Sequence, residues 1–263
     1  MFEFVTYGAE KLQIFLMVSI RAAGMFVMAP ILGDKAIPPM IKAGFAIILA
    51  IVLIPVASKV AALPVVDSNW HLLLFAIKEF LVGAVIGLFF TLLFVGVRMA
   101  GDIVGYQIGL MMANIMDPNT NTQHSLVSEF YYLVAVLIFL AIDGHHAIVA
   151  ALADSFRLIP IGALASDGVL GEQLIRFTAH TFIIGLKVGA PVIVTLFMTS
   201  VTLGVVARTV PQMNIFLVGI PLKIIVGFAV MAVALPVTKY VIHQSLNYLN
   251  DGALGVLSGL RVN

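Results

Sequence analysis

The stretch from Gly204 to Lys223 reads G-V-V-A-R-T-V-P-Q-M-N-I-F-L-V-G-I-P-L-K, and it decides how the rest of the chain is interpreted. It is a polar, proline-containing tip between two long apolar segments, residues 175–207 and 215–242. As helices these segments would extend roughly 50 Å and 42 Å, whereas the hydrocarbon core of a bilayer is about 30 Å thick. Each arm also contains or borders a lysine, Lys187 or Lys223. The pattern predicts a helical hairpin that packs on other proteins.

The composition indicates an integral membrane protein. The 263 residues are 62% hydrophobic and 10% charged, whereas soluble domains are about 45–50% apolar and about 25% charged. A formal net charge of +1 argues against a nucleic-acid-binding face, which would be strongly basic. The absence of cysteine excludes disulfides, thiolate metal sites and cysteine nucleophiles. The N-terminus, M-F-E-F-V-T-Y-G-A-E-K, lacks the pattern of a cleaved signal peptide, so none is expected.

Further apolar segments on the N-terminal side of the hairpin predict additional helices. They are separated by turns that contain proline, glycine or several polar residues. They lie at about 12–32, 41–60, 70 to beyond 98, 125–142 and 147–158. Pro55 predicts a kink or an end in the second helix. The polar connector 165–173 separates this region from the hairpin, and residues after 247 are expected to form a short amphipathic or frayed tail.

Glycines at a spacing of four residues predict close helix packing. Such spacing places them on one helix face, where two backbones can approach closely. The residues are Gly101, Gly105 and Gly109, with shorter pairs at Gly83 and Gly87 and at Gly185 and Gly189. The alternative is that membrane helices are simply rich in glycine. Arg98 and Asp102, also four apart, are expected to form a local ion pair.

Five charged residues lie inside the apolar segments: Arg21, Lys78, Glu79, Lys187 and Lys223. Each would cost roughly 2.5–3.5 kcal/mol at the centre of a lipid-exposed helix, so none should face lipid. One interpretation is a transporter with a proton relay, in which Glu79 is the residue best suited to carry a proton. The interpretation we favour places these charges at subunit contacts, at water-lined surfaces or at helix ends.

The sequence predicts no enzyme, cofactor or metal site. His145 and His146 follow Asp143, but adjacent side chains on a helix diverge, and no third ligand is expected at a useful spacing. Ser125 and Ser128 lie near His124 and Glu129 without a nucleophile-elbow motif. No phosphate-binding loop or dinucleotide fingerprint is present.

A methionine-rich segment follows the glycine stripe. Its residues are Leu110, Met111, Met112, Asn114, Ile115 and Met116. Methionine side chains are flexible and fill irregular gaps, so the cluster could close a pore around a variable strand. The alternative is an ordinary buried helix end. Judged from these residues alone, this alternative is the favoured one.

Several motifs together resemble the FliR family, the inner-membrane R subunits of the flagellar type III export gate. They are R-x-A-G-D-I-V-G-x-Q-I-G-L at 98–110, M-D-P at 116–118, D-G-H at 143–145, D-S-F-x-x-I-P-I-G at 154–162 and P-Q-M-N-x-F-x-V-G-x-P-L-K at 211–223. Arg21 with A-P-I-L at 29–32 and I-P at 37–38 also fits. The matches run in order through nearly the whole chain, and together they are highly specific.

The resemblance implies an all-α, hydrophobic, multi-helix fold. A P-subunit-like region, 1–171, would be fused to a Q-subunit-like hairpin, 172–247, with a tail at 248–263. It also implies that a loop at about 110–121 plugs the channel. The family often has aromatic residues where this chain has methionines.

The resemblance further implies a core structural and channel-forming role in the flagellar basal body of the inner membrane. The implied partners are the P and Q subunits (FliP, FliQ), FlhB, FlhA with the surrounding ring, and unfolded flagellar export substrates, but no nucleic acid. The tip at about 208–214, with Arg208, Pro211, Gln212 and Asn214, is expected on the cytoplasmic side because basic residues favour that side. An R-type subunit of a virulence injectisome and, less favoured, a self-contained secondary transporter are the alternatives.

Overall fold

The computed structural model describes residues 2–34, 37–58, 69–110, 125–163, 169–212 and 214–259. These residues form helices and turns and contain no strand. The helices, numbered here in chain order, are α1 (Phe2–Met28), α2 (Pro39–Ala57), α3 (Asn69–Ile108), α4 (Leu126–Ala141), α5 (Gly144–Leu158), α6 (Val169–Thr209) and α7 (Ile215–Gly259). The prediction of an all-α, hydrophobic protein is confirmed.

Local sequence explains where several helices begin. α2 starts at Pro39, a position where proline loses no helical hydrogen bond. Ser125 caps α4, because its Oγ accepts a hydrogen bond from the Ser128 amide at 3.0 Å. Asn214 acts similarly at α7, where its Oδ1 accepts from the Leu217 amide at 3.3 Å.

Three predicted boundaries differ from the structure. α2 ends at Ala57 with Pro55 inside it, and α5 begins at Gly144, so both histidines lie in its first turn. The stretch after 247, predicted as a short amphipathic or frayed tail, is helical as far as Gly259, where α7 ends. Leu249, near the start of that segment, is only 1% exposed.

The helix lengths support the interpretation of the long arms. Five described helices are long and apolar enough to cross a membrane, or six spans result if α4 and α5 count as one. α3, α6 and α7 contain 40, 41 and 45 residues. At the usual rise they extend about 60 to 68 Å, about twice the thickness of the hydrocarbon core.

The chain divides into two compact units, and each of the three longest helices contributes residues to both. Unit 1 contains Met1–Leu92, Asp143–Thr178 and Leu246–Asn263, and unit 2 contains Leu93–Ile142 and Ala179–Ser245. In unit 1, α1 packs on α2, and α2 also contacts α5. The family resemblance divides the chain differently, into a region 1–171 that corresponds to a P subunit and a hairpin 172–247 that corresponds to a Q subunit. That division stays a prediction.

Candidate functional site

The glycine stripe of α3 lies directly against the start of α4 in unit 2. A Cβ atom added at Gly101 would overlap the backbone of Ser128, and one added at Gly105 would lie 2.6 Å from the Ser125 Oγ. Larger side chains at these two positions would therefore force the helices apart. Gly101 and Gly105 are thus positions of close approach between α3 and α4.

Two serines bind α4 to this stripe. The Ser125 amide donates to Asp102 Oδ1 at 3.2 Å, and Ser125 Oγ donates to the Gly101 carbonyl at 3.3 Å. Ser128 Oγ donates to the Arg98 carbonyl at 3.0 Å. Both hydroxyls are buried and engaged with the backbone. The two serines therefore serve as contacts between α3 and α4.

Arg98 links the same two helices through its side chain. Its guanidinium carbon lies 3.9 Å from the centre of the Tyr132 ring, and Nη2 lies 3.5 Å from Glu129 Oε1. A guanidinium over an aromatic face is stabilised by the ring's electron density. Arg98 therefore has partners on α4, and the ion pair with Asp102 on its own helix stays a prediction.

Gly109 differs from the other glycines of the stripe. Its φ is +93°, and an added Cβ would meet no atom of the described residues within 4 Å. Glycine suits this position because L side chains rarely adopt this φ, and the packing role predicted for Gly109 stays a prediction. Of the predicted plug residues, only Leu110, which is half-buried, lies within the described part of the chain. Met111, Met112, Asn114, Ile115 and Met116 lie outside it.

A second glycine contact joins α3 to α6 in unit 2. An added Cβ at Gly185 would lie 2.5 Å from Met99 Cε and 2.9 Å from the Gly96 carbonyl oxygen. At Gly189 it would lie 3.5 Å from Ala100 Cβ. The predicted Gly185 and Gly189 face is thus a contact face, and its counterpart Gly96 was missed because it belongs to no four-residue repeat.

Unit 1 contains a buried ionic network. Arg21 Nε lies 2.6 Å from Glu79 Oε2, and the two residues are 0% and 1% exposed. Arg21 Nη1 donates to Ser155 Oγ, and Nη2 donates to the Ile159 carbonyl, both at 3.1 Å. The Gly162 amide donates to Glu79 Oε1 at 2.9 Å. The network joins α1, α3, α5 and the turn after α5.

The neighbourhood of this ion pair depends on small residues. A Cβ at Gly83 would overlap the Arg21 carbonyl, and one at Gly24 would overlap the Phe80 carbonyl. The Phe156 ring covers the guanidinium, with its centre 4.2 Å from Arg21 Cζ. The predicted pair Gly83 and Gly87 thus packs against α1, and Gly24 completes the contact from the α1 side.

The network corrects the interpretation of two charged residues. Arg21 and Glu79 lie neither at a subunit contact nor at a water-lined surface, because they pair with each other inside unit 1. The sequence contained one indication of this pairing, namely that two apolar helices carry charges of opposite sign. Lys187 is exposed, and Lys78 and Lys223 are half-buried, and their placement at subunit contacts, water-lined surfaces or helix ends stays a prediction.

Many apolar side chains on α6 and α7 are exposed. Only 17% of Gly171–Thr209 and 22% of Leu217–Leu249 is buried. Phe197 on α6 is 55% exposed, and Val233 on α7 is 80% exposed. The predicted tip residues are exposed as well: Arg208, Pro211, Gln212 and Asn214.

The start of α5 brings together three possible metal ligands. Asp143, His145 and His146 each offer a ligand atom, and these atoms lie within 4.8 Å of one another. The expectation that adjacent histidines diverge is wrong here, because their ring centres are 4.2 Å apart. The third ligand that the sequence did not suggest is Asp143, brought close by its left-handed backbone conformation.

Comparison with known proteins identifies the family. The family model described as "Bacterial export proteins, family 1" matches residues 12–249. The chain belongs to this family. The match contains the glycine contacts, the buried network, the three-ligand cluster and the exposed tip of this family member.

Curated relatives support the same assignment to the bacterial export proteins. The chain is 36% identical to the "Flagellar biosynthetic protein FliR" of Bacillus subtilis (strain 168) over 234 residues, covering 88% of this chain and 89% of the relative. It is 30% identical to the protein of the same name from Escherichia coli (strain K12), with 88% and 89% covered. The corresponding Aquifex aeolicus (strain VF5) protein is 33% identical, with 87% and 88% covered.

Proposed function

We propose that this chain is the R-type, FliR-like subunit of a flagellar type III export gate. In this role it is a structural and channel-forming component of the inner membrane that passes unfolded flagellar subunits out of the cytoplasm. The observation that carries the proposal is the end-to-end similarity to proteins named for flagellar biosynthesis, at 36% identity over 88% of the chain. The family match over residues 12–249 names bacterial export directly.

The uncovered faces of α6 and α7 support assembly with other subunits. Helices of 41 and 45 residues are too long for the hydrocarbon core alone. Their exposed faces also carry polar and charged groups, including Lys187 on α6. A charged side chain in contact with lipid is costly. Neighbouring helices of the P and Q subunits, FliP and FliQ, are the partners we propose for these faces.

The exposed tip between α6 and α7 is the proposed cytoplasmic contact. It combines a basic residue, Arg208, with Gln212 and Asn214 in a turn that a partner can reach. Basic residues favour the cytoplasmic side of a membrane protein. We assign this side to FlhB, and we place FlhA and the basal-body ring around the assembled gate.

We also propose that the segment 110–121 plugs the closed channel. Support comes from the helices that flank it in unit 2, since α3 ends at Ile108 and α4 begins at Leu126 with Ser125 as its cap. The Asp102 side chain of α3 accepts from the Ser125 amide at 3.2 Å, so the two helices are bound to each other on either side of the proposed plug. A short apolar segment with several methionines can seal around a variable strand because the side chains adapt.

The proposed subunit is passive, with energy supplied by a proton-motive-force-coupled partner and an ATPase elsewhere in the apparatus. Glu79 was the best proton-carrying candidate for a self-contained transporter. Its carboxylate is held by Arg21 and by the Gly162 amide and is 1% exposed. This carboxylate is therefore occupied by contacts inside unit 1 and has no open path to solvent in the described residues.

The test is deletion of the gene in its own organism. We expect cells without flagella, in which export substrates accumulate inside, and restoration by a plasmid copy of the chain. When the plasmid-encoded chain is purified, the P and Q subunits should be recovered with it. Normal flagella in the deletion strain, combined with loss of a virulence secretion system, would assign the chain to an injectisome. Recovery of the chain without other subunits would contradict the gate assignment.

A further inference from the structure

We propose that Asp143, His145 and His146 form a binding site for a divalent late transition-metal ion, such as Zn²⁺, Ni²⁺ or Cu²⁺. The three residues lie at the start of α5, and each offers one ligand atom within 4.8 Å of the others. His146 Nδ1 lies 3.3 Å from Asp143 Oδ1. Ligand atoms about 2.1 Å from a tetrahedral ion are separated by about 3.4 Å. This pair therefore already has the spacing of two ligands on one ion.

The backbone explains why the aspartate belongs to the cluster. Asp143 occupies the N-cap position of α5, where an aspartate normally accepts a hydrogen bond from the first turn of the helix. Here it has a φ of +57° and makes no such capping bond. The left-handed conformation instead directs the carboxylate to the His146 ring. Its oxygens remain available to an ion, since the side chain is 75% exposed.

The histidines complete the donor set from adjacent positions. Their ring centres are 4.2 Å apart with the planes tilted by 36°, so both rings lie on the same side of the helix start. Both side chains are exposed, and an ion can reach them without a change in the core. One ring nitrogen of His145 lies within 4.8 Å of the other two ligand atoms.

The donor types select the class of ion. Two imidazoles and one carboxylate suit zinc, nickel and copper, whereas calcium and magnesium prefer oxygen ligands alone. Three protein ligands leave at least one position for water or for a donor from another molecule. The affinity of such a site follows the general order in which Cu²⁺ binds more tightly than Ni²⁺ or Zn²⁺.

The location at a helix N-terminus influences the expected affinity. The positive end of the helix dipole opposes a bound cation, and the negative charge of Asp143 offsets this opposition. The carboxylate therefore has a larger effect on affinity than its single metal bond suggests. Asp143→Asn should weaken binding while preserving the backbone, because asparagine also tolerates the left-handed conformation.

The experiment is a metal titration of the purified full chain in detergent, prepared with an affinity tag that contains no histidine. Isothermal titration with Zn²⁺ and Ni²⁺ should give one ion per chain. Electron paramagnetic resonance with Cu²⁺ should show coupling to two imidazole nitrogens. His145→Ala and His146→Ala should each weaken binding at least about tenfold, and Asp143→Asn should also weaken it.

His71→Ala and His243→Ala are the matched controls, because both histidines are exposed and lie outside the cluster. They should bind the ion as the unmodified chain does. Unchanged elution in size-exclusion chromatography confirms that the variants remain folded. The proposal is overturned if the unmodified chain binds no ion, or if the His145 and His146 double variant binds as well as the unmodified chain. In that outcome the 3.3 Å contact is only a local hydrogen bond.

Discussion

Arg21 on α1 and Glu79 on α3 form an ion pair that lies entirely inside unit 1, with 2.6 Å between Nε and Oε2. Both charged groups also have partners besides each other. The guanidinium donates to Ser155 Oγ and the Ile159 carbonyl, and the carboxylate accepts from the Gly162 amide. A buried ion pair is tolerated only when its remaining polar groups are satisfied in this way. The pair therefore fixes where α1, α3 and α5 meet.

Removing only one charge of this pair should destabilise the chain. Glu79→Gln keeps an acceptor for the Gly162 amide but leaves the Arg21 cation buried without a counter-charge. Breaking such a pair typically lowers the free energy of unfolding by about 3–5 kcal/mol. The measurement is the fraction of purified full chain that remains monodisperse after heating. Arg21→Met combined with Glu79→Met should recover part of the loss, because no unpaired charge remains.

The control for this series is Arg157→Gln. Arg157 forms an exposed pair with Asp154, at 3.2 Å on the same helix, and exposed pairs contribute little to stability. The midpoint of heat denaturation should therefore change little. Equal stability of Glu79→Gln and the unmodified chain would contradict the structural role of the pair.

The glycine contacts predict a position-dependent response to added side chains. Gly105→Leu should prevent recovery of the assembled gate, since even a Cβ at this position lies 2.6 Å from Ser125 Oγ. Gly44→Ala is the matched control, because an added Cβ there meets no described atom within 4 Å. Alanine is also preferred over glycine inside a helix by about 1 kcal/mol. Normal recovery of the Gly105→Leu complex would show that this face does not need close packing.

Periodicity was sufficient to predict the fold class and most of the helices. Long apolar runs and the spacing of Gly101, Gly105, Gly185 and Gly189 are local patterns, and the structure places these glycines at helix contacts. Gly109 is the exception, since a repeat pattern cannot distinguish a packing glycine from one that ends a helix at positive φ.

Contacts between distant parts of the chain could not be predicted in the same way. Arg21 and Glu79 are separated by 58 residues, and nothing local relates their positions. The three-ligand cluster was missed for a different reason. Its geometry depends on the left-handed conformation of Asp143, whereas regular helix geometry would turn adjacent side chains apart.

The proposed plug predicts a leak when the methionine segment is altered. Replacing Met111, Met112 and Met116 with serine, or deleting 111–116, should make the membrane permeable to small solutes, because polar side chains let water enter an apolar constriction. The measurement is the passage of ions or small dyes in cells that express the variant gate. Recovery of the assembled complex must be checked in parallel. Unchanged permeability in an assembled variant would assign the seal to other residues.

The exposed faces of α6 and α7 predict which positions neighbouring subunits cover. Because the chain contains no cysteine, a single introduced cysteine reports its own surroundings. Val194→Cys and Val233→Cys replace side chains that are 58% and 80% exposed in the chain alone. Both should react with a maleimide in the purified chain and become protected when the P and Q subunits are co-expressed.

Leu196→Cys provides the internal reference for this experiment, because Leu196 is 0% exposed and should be protected in both samples. Protection of Val194→Cys and Val233→Cys only in the complex means that other proteins surround these helices. If both positions stay equally reactive in the complex, they face detergent or lipid. The length and the charges of the two arms would then need a different explanation from subunit packing.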